Sequence, residues 1–199
     1  MKKIILFFIL LLLTGCALDK NSPRQENNMS ATKNILMVVA PKDFRDQEYN
    51  DPREIFSEAG LNVKVASIQG GTATGVDGTE ATIDLTISQV DPSQFDAVVF
   101  IGGPGMIEIL NDETMQVLAK KFYKSEKITA AICAASGVLA QAGILQGKNA
   151  TGWSGVRDIL EKNGALFSDE GVVEDGKIIT ADGPASAWKF GEEIVKALQ

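Results

Sequence analysis

The sequence predicts a three-layer α/β/α sandwich built around a mainly parallel sheet. Continuous apolar runs such as ILMVVA at 35–40 and AVVFI at 97–101 are typical of strands whose two faces are both covered. These runs alternate along the chain with segments of helical periodicity. Strands that alternate with helices form an open, mainly parallel sheet with helices on both sides.

The first half of the domain follows this alternation. Residues 51–59 have helical spacing and stop at Gly60, and residues 61–67 alternate between apolar and polar, which indicates a strand with one wetter face. Residues 70–89 are rich in Gly and Thr with short alternating pieces, so we expect a small antiparallel excursion there. The strand at 97–101 ends in the glycine-rich sequence GGPG.

The second half continues the pattern to the C-terminus. Residues 172–174 and 177–180 flank Asp175-Gly176, a dipeptide typical of tight hairpin turns. Pro184 suits the first position of a closing helix. The remaining predicted elements are helices at 112–123, 135–145, 153–163 and 184–198 and a strand at 129–132.

The N-terminus predicts a lipoprotein signal. Lys2 and Lys3 precede the apolar run 4–13, which is shorter than the roughly 20 residues that span a bilayer. The sequence LTGC at 13–16 resembles the lipobox of bacterial lipoproteins, in which the cysteine is lipidated. The predicted segments are a signal peptide at 1–15, a lipidated Cys16 with a flexible tether over 16–34, and a single domain over 35–199.

These segments predict a location in the cell envelope, outside the cytoplasm, with a lipid anchor in a bacterial membrane. An uncleaved anchor, or an ordinary signal peptide with a chance cysteine, is the alternative. The chain has 26 acidic and 19 basic residues and a formal net charge of −7, which makes it a poor candidate for nucleic-acid binding. The same negative charge gives no electrostatic attraction to anionic membrane lipids, so the lipid attached to Cys16 would hold the protein at the membrane.

Cys133 lies where the apolar strand 129–132 meets a helix, and small residues follow it at once. A sharp turn there would hold the thiol at the edge of the sheet, where a helix N-terminus favours the thiolate. A buried core cysteine is the alternative. With Cys16 lipidated, the chain has no second cysteine for an intrachain disulfide, so Cys133 would be a free thiol in an oxidising compartment.

Loops at the carboxyl ends of parallel strands gather ligands, and three such loops carry candidate groups. The chain contains no histidine, which excludes a Cys-His-carboxylate triad, so a carboxylate has to transfer any proton. Asp43, Asp46 and Glu48 follow the first strand. A partly desolvated Glu48 near the thiol would have a raised pKa, whereas a solvated loop charge is the alternative.

Backbone amides are candidates for an oxyanion site. Gly102 and Gly103 follow a buried strand and could present N–H groups together with the N–H of Ala134, unless they form a simple strand-to-helix turn. Trp153 and Trp188 suit either the core and its rim or contact with a ligand.

The three loops, in this order and spacing, resemble the ThiJ/PfpI superfamily, especially the branch of the Parkinson-disease protein deglycase. The resemblance runs from Ile35 to Leu198 and is most specific in AAICA around Cys133 and in the closing VEDGKIITADGPASAWKFGEEIVKAL. Glu48 with Pro52 four residues later adds to it. The resemblance implies a flavodoxin-like fold, close to that of class I glutamine amidotransferases.

The resemblance also implies roles for individual residues. Cys133 would be the nucleophile at the strand-to-helix elbow, and Glu48 would be the carboxylate that hydrogen-bonds the thiol. Gly103 and Ala134 would supply the oxyanion-type donors. The resemblance implies a small-molecule substrate with no cofactor and no metal, and relatives are often homodimers. The residues expected to line the site are Gly102, Trp153, Gly183 and Pro184.

Two departures from the superfamily concern histidine. In the protease-like branch a histidine follows the nucleophile, where this chain has Ala134, and in the deglycase branch a histidine approaches from the loop that here contains Trp153. Both departures disfavour peptidase or amidase activity. The glyoxalase activity of relatives relies mainly on a Cys-Glu pair, in which the thiol adds to an aldehyde and the carboxyl group moves a proton between adjacent carbons.

Three functions therefore compete. The first is a cofactor-free Cys-Glu enzyme acting on small reactive carbonyl compounds or related adducts. The second is a redox sensor or protective module in which Cys133 is oxidised to a sulfinate held by protonated Glu48. The third is a structural or binding lipoprotein whose elbow no longer has a catalytic use.

Overall fold

The computed structural model describes residues 32–199. The predicted signal peptide, Cys16 and nearly all of the predicted tether lie outside the described residues, so these assignments stay predictions. The first strand begins at Asn34, the last residue assigned to the tether. Within residues 32–199 no helix is both long and apolar enough to cross a membrane.

Strands and helices alternate along this part of the chain, as predicted. The strands are β1 (Asn34–Val38), β2 (Lys42–Phe44), β3 (Asn62–Ser67), β4 (Gly71–Gly75), β5 (Glu80–Ile83), β6 (Leu85–Thr86), β7 (Ala97–Phe100), β8 (Ile128–Ile132), β9 (Asn149–Ala150), β10 (Leu166–Phe167), β11 (Val172–Asp175) and β12 (Ile178–Ala181). The helices are α1 (Asp46–Glu58), α2 (Pro104–Glu108), α3 (Glu113–Lys124), α4 (Ser136–Gln141), α5 (Arg157–Lys162) and α6 (Ala187–Ala197).

A seven-stranded sheet forms the middle layer, in the order β11-β12-β8-β7-β1-β3-β6. Its neighbouring strands are parallel except for the antiparallel edge pair of β11 and β12. The residues of β7, β8 and β12 are all buried, which fits a sheet covered on both faces. The predicted α/β class with a mainly parallel sheet is confirmed.

Helices cover both faces of this sheet. Side chains alternate along β1, so that Met37 packs in the cluster that contains Phe190 of α6, whereas Leu36 packs in the cluster that contains Phe122 of α3. Helix α1 lies on the same face as α6, and α4 and α5 contribute to the opposite cluster. The carboxyl ends of β1, β7, β8 and β12 therefore meet along one edge between two helical layers.

The helix predicted at 51–59 begins at Asp46 instead, so the predicted start was wrong. Proline favours the first turn of a helix, but Pro52 lies inside α1, where it has no N–H to donate to the carbonyl of Glu48. The buried side chains of Tyr49 and Phe56 hold the helix against the sheet on either side of the proline. The longer helix places Glu48 in its first turn rather than in a loop.

Other predicted boundaries also moved. The helix predicted at 135–145 is replaced by a 3-10 turn, Cys133–Ala135, followed by the short α4. A 3-10 turn at Pro184–Ser186 likewise precedes α6, and one at Ser154–Val156 precedes α5. The hairpin turn falls on Gly176-Lys177, because Asp175 pairs with Ile178.

Four short elements were not predicted, because pieces of two to five residues carry too little periodicity. They are α2 after the GGPG loop, the β9–β10 pair, and β2, which joins the predicted antiparallel pair of β4 and β5 in a small second sheet. In that sheet β2 runs parallel to β4.

Gly105 of α2 is pressed against the backbone of β2. A Cβ atom at Gly105 would lie 1.8 Å from the carbonyl oxygen of Lys42. No side-chain rotation relieves a collision with backbone, so this contact requires glycine. It also fixes the loop after β7 against the loop after β1.

We expect Gly105→Ala to lower the free energy of unfolding by about 2–3 kcal/mol, because the two loops have to separate. Gly70→Ala is the matched control, since a Cβ atom there meets only the methyl group of Thr86 at 3.8 Å. Urea unfolding of both variants checks the prediction. Equal stability of the two variants would show that the loops are not held together.

Candidate active site

Cys133 forms a strained turn between β8 and α4. Its φ of 61° lies in the left-handed region, which a side-chain-bearing residue adopts only where the surrounding structure enforces it. The side chain is partly buried and packs against the apolar clusters of both sheet faces. The thiol is therefore at the edge of the sheet, between the two helical layers, and not inside either core.

Glycines allow neighbouring loops to approach this turn closely. A Cβ atom at Gly102 would lie 2.8 Å from the Cβ atom of Cys133 and 2.8 Å from the carbonyl oxygen of Ile132. A Cβ atom at Gly152 would lie 2.9 Å from that of Ser136 and 3.2 Å from the carbonyl oxygen of Cys133. The turn is thus enclosed on two sides by backbone.

Glu48 points from the first turn of α1 into the same place and is completely buried. Its Oε2 atom accepts a hydrogen bond from the N–H of Gly102 at 3.1 Å. The buried Oε1 atom accepts no hydrogen bond from the described chain. A Cβ atom at Gly102 would lie 2.7 Å from Oε2 of Glu48 and 2.8 Å from the Cβ atom of Cys133, so the two side chains meet at this glycine. The structure brings Glu48 and Cys133 together.

The two groups perturb each other's ionisation. Burial raises the pKa of Glu48 to about 7, and the negative charge of Asp182 acts in the same direction, against hydrogen bonds from Cys133 and Gly102 and the charge of Arg45. Burial and the carboxylate of Glu48 raise the pKa of Cys133 to about 12. Between these two pKa values the pair holds a single proton, which lies mainly on the sulfur.

This result corrects the expectation that a helix N-terminus alone favours the thiolate of Cys133. Helix α4 has only six residues, and its end is outweighed by burial and by the neighbouring carboxylate. The sulfur becomes nucleophilic when Glu48 takes up the shared proton.

Two backbone amides face the sulfur. The N–H groups of Ala134 and Gly103 lower the pKa of the thiol, against the larger effects of burial and of the Glu48 charge. Gly103 has a φ of 116°, and a Cβ atom there would lie 2.5 Å from the backbone nitrogen of Arg45. Only glycine fits, and its amide is held where it meets negative charge on the sulfur or on an atom bonded to it.

Trp153 meets the site through its backbone. Its N–H donates to the carbonyl oxygen of Cys133 at 3.3 Å, while its half-exposed indole covers Gly155. Trp188 lies on the outer face of α6 and donates its indole N–H to Glu192. Of the two tryptophans, only Trp153 adjoins the thiol.

The two other candidate carboxylates have different positions. Asp46 is buried and accepts hydrogen bonds at 2.8 Å from the backbone N–H groups of Asp77 and Thr79. It therefore anchors the turn between β4 and β5 to the start of α1, next to Glu48. Asp43 is exposed to solvent.

Gly183 and Pro184 follow β12 after one intervening residue, at the same edge of the sheet as the thiol. The preceding residue, Asp182, was missed by the sequence reasoning. Ala181 pairs with Ile132, so Asp182 is the counterpart of Cys133 at the ends of neighbouring parallel strands. Knowing that β12 lies beside β8 would have revealed it. Residues 32–199 contain no group of three or more His, Cys, Asp or Glu side chains able to hold a metal ion.

Comparison with known proteins supports a single family. Residues 33–197 match the family model described as the DJ-1/PfpI family. An uncharacterized protein of Methanocaldococcus jannaschii is 42% identical over 202 residues, which span 100% of this chain and 98% of that protein. A protein of Pyrococcus horikoshii named a deglycase is 32% identical over 164 residues, covering 82% of this chain and 99% of that protein.

The solved structures agree with these sequence matches. The crystal structure of a ThiJ/PfpI domain protein from Brachyspira murdochii superposes with a TM-score of 0.82 at 41% sequence identity, covering 84% of this chain and 96% of that chain. The matched segment includes the whole elbow and the helix that carries its buried carboxyl group. This chain belongs to the DJ-1/PfpI family.

Proposed function

We propose that the protein converts small reactive carbonyl compounds at Cys133 and Glu48 without a cofactor, by chemistry of the glyoxalase or deglycase type. The observation that carries the proposal is the buried Glu48 carboxyl group, whose pKa is raised to about 7 beside a free thiol. Proton transfer near neutral pH needs a group that titrates in that range. The relatives named deglycases add support.

The first step forms a hemithioacetal. The sulfur of Cys133 bonds to the aldehyde carbon while Glu48 holds the former thiol proton, and the carbonyl oxygen becomes an alkoxide. The N–H groups of Gly103 and Ala134, which face the sulfur, donate to this oxygen. Glu48 then returns the proton to the oxygen, so that no net charge accumulates.

The second step moves a proton between carbons. Glu48 removes the hydrogen of the carbon bonded to sulfur and delivers it to the adjacent carbonyl carbon, while the hydroxyl proton of the first carbon passes to the oxygen of the second, which leaves a thioester of a 2-hydroxy acid. Water then cleaves the C–S bond, releasing the acid and the free thiol of Cys133. No oxidant or reductant is consumed, since one carbon is oxidised as its neighbour is reduced.

We further propose that this chemistry takes place in the cell envelope, with lipidated Cys16 as the anchor. The proposal rests on the basic start, the short apolar run and the LTGC sequence. A site on a polar tether outside the membrane would meet carbonyl compounds that enter the envelope.

We expect Cys133→Ser and Glu48→Gln each to reduce conversion of methylglyoxal by at least about 100-fold, because each removes a group that forms or breaks a bond. Glu54→Gln is the control, since Glu54 is exposed on the same helix. NMR detection of the 2-hydroxy acid measures the rate. Turnover that survives in either site variant would refute the mechanism.

The raised thiol pKa predicts a pH profile for Cys133. Alkylation of Cys133 by iodoacetamide should still be rising with pH well above the ordinary thiol range of about 8.5, because burial and the Glu48 carboxylate raise the pKa of the thiol to about 12. In Glu48→Gln the negative charge is gone, so the profile should move to lower pH. Coincident profiles for the two proteins would contradict an interaction between Glu48 and Cys133.

A redox role is the second candidate, favoured by the same contact. A protonated Glu48 can donate a hydrogen bond to a sulfinate on Cys133, and Ala134 and Gly103 present further N–H donors there.

Mild peroxide should therefore add two oxygen atoms to Cys133, as located by mass spectrometry of proteolytic fragments. The Cys133→Ser variant controls for oxidation of methionines. A residue that remains a thiol, or that passes directly to the three-oxygen sulfonate, would eliminate the sensor.

A further inference from the structure

We propose that Asp182 is the general base that activates water to release the product from Cys133. This inference rests on the proposed function and adds a catalytic residue to it. The acyl-enzyme step needs a proton acceptor that water can reach, and three features of Asp182 meet this need: its position, its unused carboxylate oxygen and its access to solvent.

The position follows from the sheet. Strands β12 and β8 are parallel neighbours, and Ala181 pairs with Ile132. The next residue of each strand, Asp182 and Cys133, therefore leaves the sheet at the same level and edge. The backbone N–H of Asp182 donates to the carbonyl oxygen of Gly171 at 3.0 Å, which fixes the residue in place.

The carboxylate of Asp182 has an acceptor to spare. Its Oδ1 atom is buried and receives no hydrogen bond from the described chain. A buried acceptor without a donor costs free energy, and a water molecule or a substrate hydroxyl group would satisfy it. The structure thus keeps an unpaired acceptor on the residue that leaves the sheet next to Cys133.

Glu48 is poorly suited to this step. None of its surface is exposed, its Oε2 atom accepts a hydrogen bond from Gly102, and its Oε1 atom is buried as well. Asp182 is only partly buried, so its side chain lies at the boundary with solvent, although its Oδ1 atom is itself buried. Because the chain contains no histidine, Asp182 is the described carboxylate that combines nearness to the pair with access to water. Its negative charge also helps Glu48 to keep a proton.

The proposed step is balanced in atoms and charge. The Asp182 carboxylate takes a proton from water as the water oxygen bonds to the thioester carbon. The C–S bond then breaks, and its electron pair stays on the sulfur of Cys133. The leaving sulfur is reprotonated from Asp182 or Glu48, which yields a 2-hydroxy acid and the original thiol.

The test is Asp182→Asn in the full-length protein with methylglyoxal as the probe. We expect steady-state turnover to fall by about 100-fold. One equivalent of adduct should build up on Cys133, visible by intact-mass spectrometry and convertible to a hydroxamate by hydroxylamine. A thioester reacts with hydroxylamine in this way and a hemithioacetal does not.

The matched control is Asp169→Asn, which makes the same change at a side chain that is 85% exposed. The melting temperature of Asp182→Asn should stay close to that of the wild type, because Asp182 Oδ1 accepts no hydrogen bond within the described chain that the substitution could remove. A lower melting temperature would assign Asp182 a structural role instead. Should Asp182→Asn fail to fold, Asp182→Ser provides the same readout.

The outcomes separate the two proposals. Wild-type turnover in Asp182→Asn, or loss of turnover without a hydroxylamine-sensitive adduct, overturns the role of Asp182 and leaves the proposed function intact. A wild-type protein that neither converts methylglyoxal nor forms an adduct on Cys133 overturns the proposed function itself.

Discussion

The contact between the buried Glu48 carboxyl group and the Cys133 thiol is the interaction on which the site depends. It needs a helix that starts early enough to carry Glu48, a strained turn that presents the sulfur, and a Gly102 amide that holds the carboxyl group in place. Burying a carboxyl group without an ion pair is costly, and the protein offsets the cost by keeping a proton within the pair. The proton held by Glu48 and Cys133 therefore affects both the stability of the protein and the reactivity of the thiol.

A family member without histidine has to distribute acid–base work among carboxyl groups. Here the environments of the two nearest acids differ, since Glu48 is sealed against the sulfur and Asp182 is partly open to solvent. Such differences allow two groups of the same type to take different roles. The chain reaches an arrangement suited to carbonyl chemistry while lacking the residue that a Cys-His-carboxylate triad requires.

The fold was predictable because buried parallel strands leave a clear apolar signal, as in the runs that became β1 and β7. The edge position of Cys133 was predictable for the same reason, since it directly follows such a strand. The position of Glu48 was not predictable in this way, because Pro52 suggested a later start for α1. Only the family resemblance singled out Glu48 as the partner of the thiol. Asp182 could not be predicted as a site residue, because its position next to Cys133 depends on the order of the strands in the sheet. Hydrophobic periodicity does not encode that order.

The wall of the site formed by Gly102, Gly103 and Gly152 consists of main chain, and each of these positions is too tight for even a methyl group. These three positions therefore carry no side chain that substitution could exchange without moving the backbone. Divergence among descendants of this protein, or a laboratory search for new substrates, has to proceed at positions that carry side chains, such as the segment after β12. Changes in substrate selectivity are therefore confined to the part of the site that side chains form.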